Sequence, residues 1–143
     1  IEKARRKSLL CLKDKYVLVE MNFISIPLGL YEIIFEITVN GYIPILAHPE
    51  RYMFLDLNEF KKLKKFGCLF QANLLSAIDY YGIHVRKNLE KLIDEKMIDF
   101  IGSDIHHVRH ISAFENKVKI KKLTDLEKII GNNNEFLWLL TWA

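Results

Sequence analysis

The chain of 143 residues is half apolar and carries a formal net charge of only +3, so it can bury one core of ordinary domain size. Its scattered basic residues give no strong case for nucleic-acid binding. No apolar stretch approaches the roughly 20 residues that span a bilayer, and the first residues are charged rather than apolar. We therefore expect a cytoplasmic protein without a membrane span, in which Cys11 and Cys68 are reduced core thiols.

The first third of the chain predicts two strands and the helix between them. The β-branched run Tyr16–Glu20 indicates a strand that ends in an acid. Pro27 suits the first turn of a following helix, which should end at Asn40-Gly41. A second strand is predicted at Ile43–Ala47. The apolar stripe of the intervening helix is expected to comprise Leu28, Tyr31, Ile34 and Phe35.

The rest of the chain continues the alternation of strands and helices. Asp56, with Glu59 three residues later, forms a capping pair for a helix that ends at Gly67. Strands are predicted at Cys68–Ala72 and Ile98–Ile101. The remaining predicted helices are one carrying Val85, Leu89, Leu92 and Ile93, and two that start at Ser112 and Thr124.

This alternation, with nearly continuous apolar strands, indicates an α/β fold with a parallel sheet or barrel. Four strand-helix units are too few to close an eight-stranded barrel, which takes about 250 residues. The chain is either a small open α/β domain or part of a barrel, and a first residue of Ile1 rather than Met favours the second. No linker or repeat interrupts residues 1–143, so we expect one domain or part of one.

A polar segment follows the second predicted strand and contains a histidine and an arginine. Pro49 should hold His48 in an extended backbone, and Arg51 lies where its guanidinium could clamp a phosphate with two parallel hydrogen bonds. Glu50 is either a ligand or a salt-bridge partner of Arg51. A lone histidine at a strand end is more often structural than a ligand, but these neighbours favour a site.

A second polar segment follows the last predicted strand. Because alternate residues of an extended segment point the same way, Asp104 and His106 can converge on one metal or on neighbouring metals. The alternative is a loop with incidental polar residues. Glu20 and Asn73 also stand at predicted strand ends, and chance rarely supplies so many polar strand ends. Arg109 is a candidate phosphate contact.

Two more histidines, His107 and His110, lie close to this segment. Three histidines so close together cannot all face one site. We therefore expect His107 and His110 at the surface or behind the ligands.

Other hydrolase signatures do not occur in the sequence. There is no Gly-x-Ser-x-Gly elbow and no Gly-rich phosphate loop of the nucleotide-binding type. Neither Cys11 nor Cys68 begins a Cys-x5-Arg loop of the kind that thiol-based phosphatases use. A phosphatase built on this sequence would therefore depend on metal.

Three ordered motifs resemble the polymerase and histidinol phosphatase (PHP) family. Each motif alone is weak, and the ordered combination is specific. The resemblance runs from about Tyr16 to Asn134 and is closest to the bacterial manganese-dependent tyrosine-protein phosphatases of capsule and exopolysaccharide clusters. The motifs are His48-Pro49-Glu50-Arg51-Tyr52, Gln71-Ala72-Asn73 and Gly102-Ser103-Asp104-Ile105-His106, the first and last following apolar strands.

The resemblance implies the C-terminal portion of a distorted (β/α)7 TIM-like barrel that binds two or three divalent metals at its strand ends. Mn2+ is expected, with Fe, Zn or Mg as alternatives. Arg51 matches the arginine that binds substrate phosphate, and it is an expected catalytic residue together with Asp104 and His106. Asn73 matches a strand-end position to which we assign no role. The positions that match metal ligands are Glu20, His48, Asp104 and His106.

The sequence departs from the family pattern at its beginning. The family opens with a His-x-His motif, and no histidine precedes His48 here. Activity of the isolated chain is therefore expected to be impaired or absent.

The implied activity is hydrolysis of phosphotyrosine on protein, with a bacterial tyrosine autokinase of polysaccharide export as the expected partner. Two alternatives stay open. One is a PHP phosphatase for a small phosphoester such as histidinol phosphate, and the other is a non-catalytic remnant used for binding or assembly. The apolar C-terminal run from Phe136 to Trp142 fits a last helix packed on the core, or a contact in a homo-oligomer.

Overall fold

A four-stranded parallel sheet organises the chain in the computed structural model, which describes residues 9–13 and 15–140, with side chains up to 136. The strands pair in chain order, and every pairing is parallel. The parallel α/β fold class predicted from sequence is confirmed, with strand bounds shifted by one or two residues. The strands are β1 (Tyr16–Val19), β2 (Ile43–Ala47), β3 (Leu69–Asn73) and β4 (Phe100–Gly102).

Helices and short turns connect the strands and follow the last one. Three 3-10 segments cover Pro49–Arg51, Leu74–Ile78 and Asn133–Leu140. None of the helices in the described part of the chain combines the length and the apolar composition that a membrane span requires. The α-helices are α1 (Leu30–Val39), α2 (Leu57–Lys65), α3 (Ile83–Asp94), α4 (Val108–Ala113) and α5 (Leu123–Asn132).

The two faces of the sheet are covered differently. On one face, side chains such as Leu46 and Phe70 belong to the main core, which includes buried residues of α1, α2, α3 and α5. On the other face, Tyr16, Ile45 and Phe100 form a small cluster against Phe136. Neighbouring residues of one strand point to opposite faces, which accounts for the split between Ile45 and Leu46.

Helix α1 starts later than predicted and buries a different stripe. Leu28 is fully exposed and Phe35 is half-exposed, so the prediction that both face the core is wrong. The buried residues are Leu30, Ile34 and Ile37. Because most residues of α1 are apolar, more than one helical stripe fits the sequence, and periodicity alone cannot select the buried face.

Helix α2 begins with the predicted capping box. The Asp56 carboxylate accepts a hydrogen bond from the Glu59 backbone amide at 2.9 Å, and the Glu59 carboxylate accepts one from the Asp56 amide at 3.2 Å. These reciprocal bonds satisfy two donors that a helix start otherwise leaves unpaired. The helix ends before Gly67, which has φ +81°.

The region around the end of α4 differs from the prediction that was based on a local helix-capping pattern. No helix starts at Ser112; instead α4 ends beside it, and residues 114–122 form an irregular connection. The Lys119 amide donates to the Ala77 carbonyl at 2.8 Å, and Ile120 is buried. Tertiary contacts therefore override the local capping signal. The helix predicted from Thr124 exists as α5.

The apolar C-terminal run is described only in part. Phe136 packs edge-on against Tyr16 and Phe100, with ring centroids 5.2 and 4.9 Å apart. The predicted packing of this run on the core is therefore confirmed at Phe136. The side chains of residues 137–140 and all of residues 141–143 lie outside the described residues.

Both cysteines are free thiols, as predicted. Cys68 is buried in the main core. Burial raises the pKa of its thiol to about 12, so the thiol remains protonated and unreactive near neutral pH.

A buried carboxyl group at Glu50 ties together the segments that follow β2 and β3. It accepts hydrogen bonds from the Ser76 hydroxyl at 2.6 Å and from the Asn73 amide at 2.9 Å. The Asn88 side chain of α3 donates to the Glu50 carbonyl at 2.9 Å. Glu50 is completely buried, and its Oε2 has no hydrogen-bond partner among the described residues. The salt bridge to Arg51 that the sequence analysis considered is not formed, since Arg51 lies at ion-pair distance from Asp104 instead.

We expect Glu50 to make stability depend on pH. Burial raises its pKa from 4.5 to about 7, so between these values the folded state binds a proton that the unfolded state has released. The free energy of unfolding should therefore fall as pH rises through this window, by roughly 3 kcal/mol at most. Glu50→Gln should remove this component, as measured by urea denaturation from pH 4.5 to 8.

The exposed Glu95 supplies a matched control for this prediction. Glu95→Gln should keep the pH dependence of the original chain. A Glu50→Gln variant with an unchanged pH profile would contradict the assignment.

Candidate metal and phosphate site

His48 is placed by a sharp turn at the end of β2. Its amide donates to the Gln71 carbonyl at 2.7 Å, which continues the pairing with β3. Its φ of +36° and ψ of 55° are left-handed, so the prediction of an extended backbone is wrong. This backbone conformation lets the chain turn directly into the 3-10 segment that starts with Pro49. Non-glycine residues rarely adopt it, and the buried contacts of the His48 side chain stabilise it here.

The His48 imidazole is buried and faces a carboxylate. Its Nε2 lies 3.1 Å from Glu20 Oε1, while its ring contacts the rings of Phe23 and Tyr52, each with a centroid separation of 5.4 Å. Nδ1 is buried without a hydrogen-bond partner among the described residues. Burial, followed by the nearby Arg51 cation, lowers the pKa of His48, which favours the neutral imidazole that binds metals.

Asp104 and His106 form a second imidazole-carboxylate pair after β4. His106 Nδ1 lies 3.3 Å from Asp104 Oδ1 and 2.9 Å from the Asp104 carbonyl oxygen. Asp104 has φ +50°, so the pair does not arise from an extended segment as predicted. A left-handed residue, which aspartate tolerates, instead brings His106 back onto Asp104. The His106 side chain is largely exposed, at 69%.

The strand end of β3 joins this pair through Asn73. Its side-chain amide donates to Asp104 Oδ2 at 2.9 Å and to the Tyr81 hydroxyl at 3.3 Å. Asn73 Oδ1 accepts a hydrogen bond from the Leu75 amide at 2.8 Å, which fixes the orientation of the side chain. Asn73 therefore holds one oxygen of Asp104 and leaves the other beside His106.

Arg51 stands between the two strand ends. Its Nη1 is 3.7 Å from Asp104 Oδ2, which is too long for a hydrogen bond. Phe23 and Tyr81 flank its guanidinium, with Cζ 4.3 and 4.1 Å from their ring centroids. Neither aromatic residue was predicted from sequence, because each lies in a loop where no periodic or spacing signal marks it.

An open cleft of about 250 Å³ brings together three of the four predicted ligands, His48, Asp104 and His106. Glu20 adjoins them through His48. A larger groove of about 300 Å³ lies elsewhere, where residues of α5 contribute to its lining, and it contains no imidazole. The cleft is lined by Leu18, Ala47, His48, Gln71, Ala72, Asn73, Gly102, Asp104 and His106.

The other candidate residues after β4, which are Arg109, His107 and His110, differ in their exposure and contacts. Arg109 is exposed on α4 and forms no ion pair within the described part of the chain. His110 is buried, and its Nδ1 accepts a hydrogen bond from the His106 amide at 3.2 Å. His107 is exposed and contacts the His110 ring. The expected surface position is confirmed for His107, and His110 lies behind His106.

The donor chemistry of the cleft suits a divalent metal, and the described residues supply only part of a full ligand set. Glu20 with His48, and Asp104 with His106, each combine carboxylate oxygen with imidazole nitrogen. Mn, Fe and Zn accept such mixed ligands. Within the described ranges, no three His, Cys, Asp or Glu side chains converge closely enough to hold an ion.

Comparisons with known proteins show which family the chain belongs to. The family model described as "Capsular polysaccharide synthesis, CpsB/CapC" matches residues 1–132. CapC of Staphylococcus aureus, which carries a provisional tyrosine-protein phosphatase name, is 34% identical over 98 residues, covering 67% of this chain and 38% of CapC. Tyrosine-protein phosphatase YwqE of Bacillus subtilis strain 168 is 30% identical over 107 residues, covering 73% of this chain and 42% of YwqE.

A solved structure shares the fold. It comes from crystal structures of YwqE from Bacillus subtilis and CpsB from Streptococcus pneumoniae, described as metal-dependent tyrosine phosphatases. The match has a TM-score of 0.67 and 27% identity, and covers 89% of this chain and 51% of that one. The chain thus spans about half, or less, of the relatives it matches. On the extent of the family match, the chain belongs to the CpsB/CapC family of capsular polysaccharide synthesis.

Proposed function

We propose that this chain forms part of a metal-dependent protein-tyrosine phosphatase. The observation that carries the proposal is the meeting, at the ends of parallel strands, of two imidazole-carboxylate pairs with Arg51. Such a site can combine metal ions with a cation that binds phosphate. Similarity to YwqE, named as a tyrosine-protein phosphatase, supports the choice of phosphotyrosine.

The four strands would be the C-terminal portion of a PHP-type TIM-like barrel formed by one domain. Two observations support this architecture. The core helices cover one face of the sheet, as they do in a barrel, and the candidate residues follow the C-terminal ends of the strands, where barrel enzymes place their sites. The opposite face, which carries Ile45 and Phe100, would face the barrel interior.

Glu20, His48, Asp104 and His106 would hold the metal ions, with further ligands from outside the residues described. Mn2+ is our first choice among two or three divalent ions, with Fe, Zn and Mg as alternatives. When bound, these ions would lower the pKa of a water molecule and neutralise charge on the phosphoryl oxygens. Asn73 would orient the Asp104 carboxylate, and the lowered pKa of His48 would keep its imidazole available to metal.

Arg51 would bind the substrate phosphate through its planar N–H donors. Its guanidinium donates no hydrogen bond within the described part of the chain and is close to Asp104, so a phosphate bound there would adjoin the ligand pairs. Arg109, exposed on α4, is a second and weaker candidate for phosphate contact. Together with Asp104 and His106, Arg51 would be a catalytic residue.

The substrate would be a phosphotyrosine protein, and a bacterial tyrosine autokinase of polysaccharide export is the proposed partner. We propose a cytoplasmic location and self-association through the apolar C-terminal run. The capsular polysaccharide description of the family supports this biological setting.

A non-catalytic role in binding or assembly is the second candidate. The incomplete ligand set within the described residues favours it. Uptake of Mn2+ by the protein with its natural termini separates this role from the phosphatase.

We expect His48→Ala to abolish Mn2+ uptake at one position and to lower hydrolysis of a phosphotyrosine peptide by roughly a hundredfold or more, since even loss of groups that support metal ligands costs 10- to 100-fold. His84, exposed on α3, provides the matched control. The measurement is metal content and turnover of the protein with its natural termini. Normal turnover in His48→Ala, or equal loss in His84→Ala, would refute the assignment.

Replacing Arg51 with lysine should raise KM for the phosphotyrosine peptide by about 10- to 100-fold, because lysine keeps the charge but cannot make two parallel hydrogen bonds. Mn2+ uptake should not change. Steady-state kinetics with the natural protein provide the measurement. If Arg51→Lys has an unchanged KM, the phosphate-binding role is wrong. Arg109→Lys should have a smaller effect.

A further inference from the structure

Arg51 combines features that a structural arginine rarely shows together. Its side chain is only 22% exposed, yet its guanidinium donates no hydrogen bond to any described residue. Asp104 lies at ion-pair distance, 3.7 Å, beyond hydrogen-bond range. A guanidinium carries five N–H donors that normally find acceptors when buried, so these donors are available to an outside anion.

Two aromatic rings restrain this guanidinium without using its donors. Phe23, in the loop between β1 and α1, lies 4.3 Å from Arg51 Cζ, and Tyr81, just before α3, lies 4.1 Å away. A cation over a ring is attracted by π electrons, so such contacts leave the N–H groups free. The aromatic pair can therefore fix Arg51 while keeping its hydrogen-bonding capacity for a ligand.

Each ring is itself anchored to the candidate site. Phe23 stacks on Tyr52 with centroids 5.5 Å apart and planes inclined by 22°, and Tyr52 accepts a hydrogen bond from the Met21 amide at 2.9 Å. The Tyr81 hydroxyl accepts from the Asn73 side chain at 3.3 Å. The same residues that surround His48 and orient Asp104 thus hold the two rings in place.

We propose that Phe23 and Tyr81 are positioning residues that restrain the Arg51 guanidinium for binding a phosphate monoester. This inference rests on the proposed phosphatase function and assigns roles to two loop residues beyond the ligand set. By restricting Arg51 before the ligand arrives, the rings reduce the conformational entropy lost on binding.

The test compares Phe23→Leu and Tyr81→Leu in the protein with its natural termini. Each should raise KM for a phosphotyrosine peptide, and the inhibition constant of inorganic phosphate, by about 5- to 20-fold, the size of a partly desolvated cation-ring contact. Mn2+ uptake should be retained, because Tyr52 still packs on His48 and Asn73 still donates to Asp104 in both variants. The kcat value should change by less than about threefold. Tyr81→Phe, which keeps the ring, should retain most of the affinity. Ile24→Ala is the matched control, because Ile24 is exposed in the same loop as Phe23.

NMR of the Arg51 Nε–Hε group provides a readout that does not depend on turnover. We expect an ordered signal that shifts when inorganic phosphate is added, and a loss of order in both leucine variants. Leucine variants that bind phosphate normally and keep an ordered Arg51 would overturn the proposal. So would loss of Mn2+ uptake in the same variants, because the rings would then support the metal ligands rather than Arg51.

The two proposals can fail separately. If the original protein hydrolyses no phosphotyrosine peptide, the phosphatase function fails. The positioning role is then tested by the NMR titration with inorganic phosphate alone. A shift of the Arg51 Nε–Hε signal that is weaker in both leucine variants supports the role, and the absence of a shift overturns it.

Discussion

The parallel register of the sheet is the constraint on which the candidate site depends. The pairing of β2 with β3 extends to the bond between the His48 amide and the Gln71 carbonyl, and β3 pairs with β4 up to Asn73 and Gly102. Because parallel strands end on the same edge, residues far apart in sequence become neighbours there. His48 and Asp104 owe their proximity to this register rather than to any local motif.

Hydrogen bonds behind the cleft convert that proximity into a defined arrangement. Glu50 accepts from Ser76 and from the Asn73 amide, and the Asn73 side chain donates to Asp104. This path links the turn after β2 to the carboxylate after β4 through buried groups. Because these bonds involve buried groups, they restrain polar side chains on separate loops in fixed positions. Binding of a metal or a phosphate requires such fixed positions.

The sequence predicted the strands, the class of fold and the residues at the strand ends, because continuous apolar runs and turn signals depend on local composition. It did not predict the buried face of α1, where Leu28 proved exposed and Ile37 buried, since a helix apolar on most sides has no unique stripe. It also missed the left-handed backbones of His48 and Asp104. Those conformations are maintained by tertiary contacts, and so are the positions of Phe23 and Tyr81 around Arg51.

The central claim, that the strand ends of this chain bind catalytic metal, is tested most directly by a crystal structure of the protein with its natural termini, grown with Mn2+ and measured at the manganese absorption edge. The account predicts anomalous peaks bonded to Glu20, His48, Asp104 and His106. Peaks confined to another part of the molecule, or none at these four side chains, would contradict it.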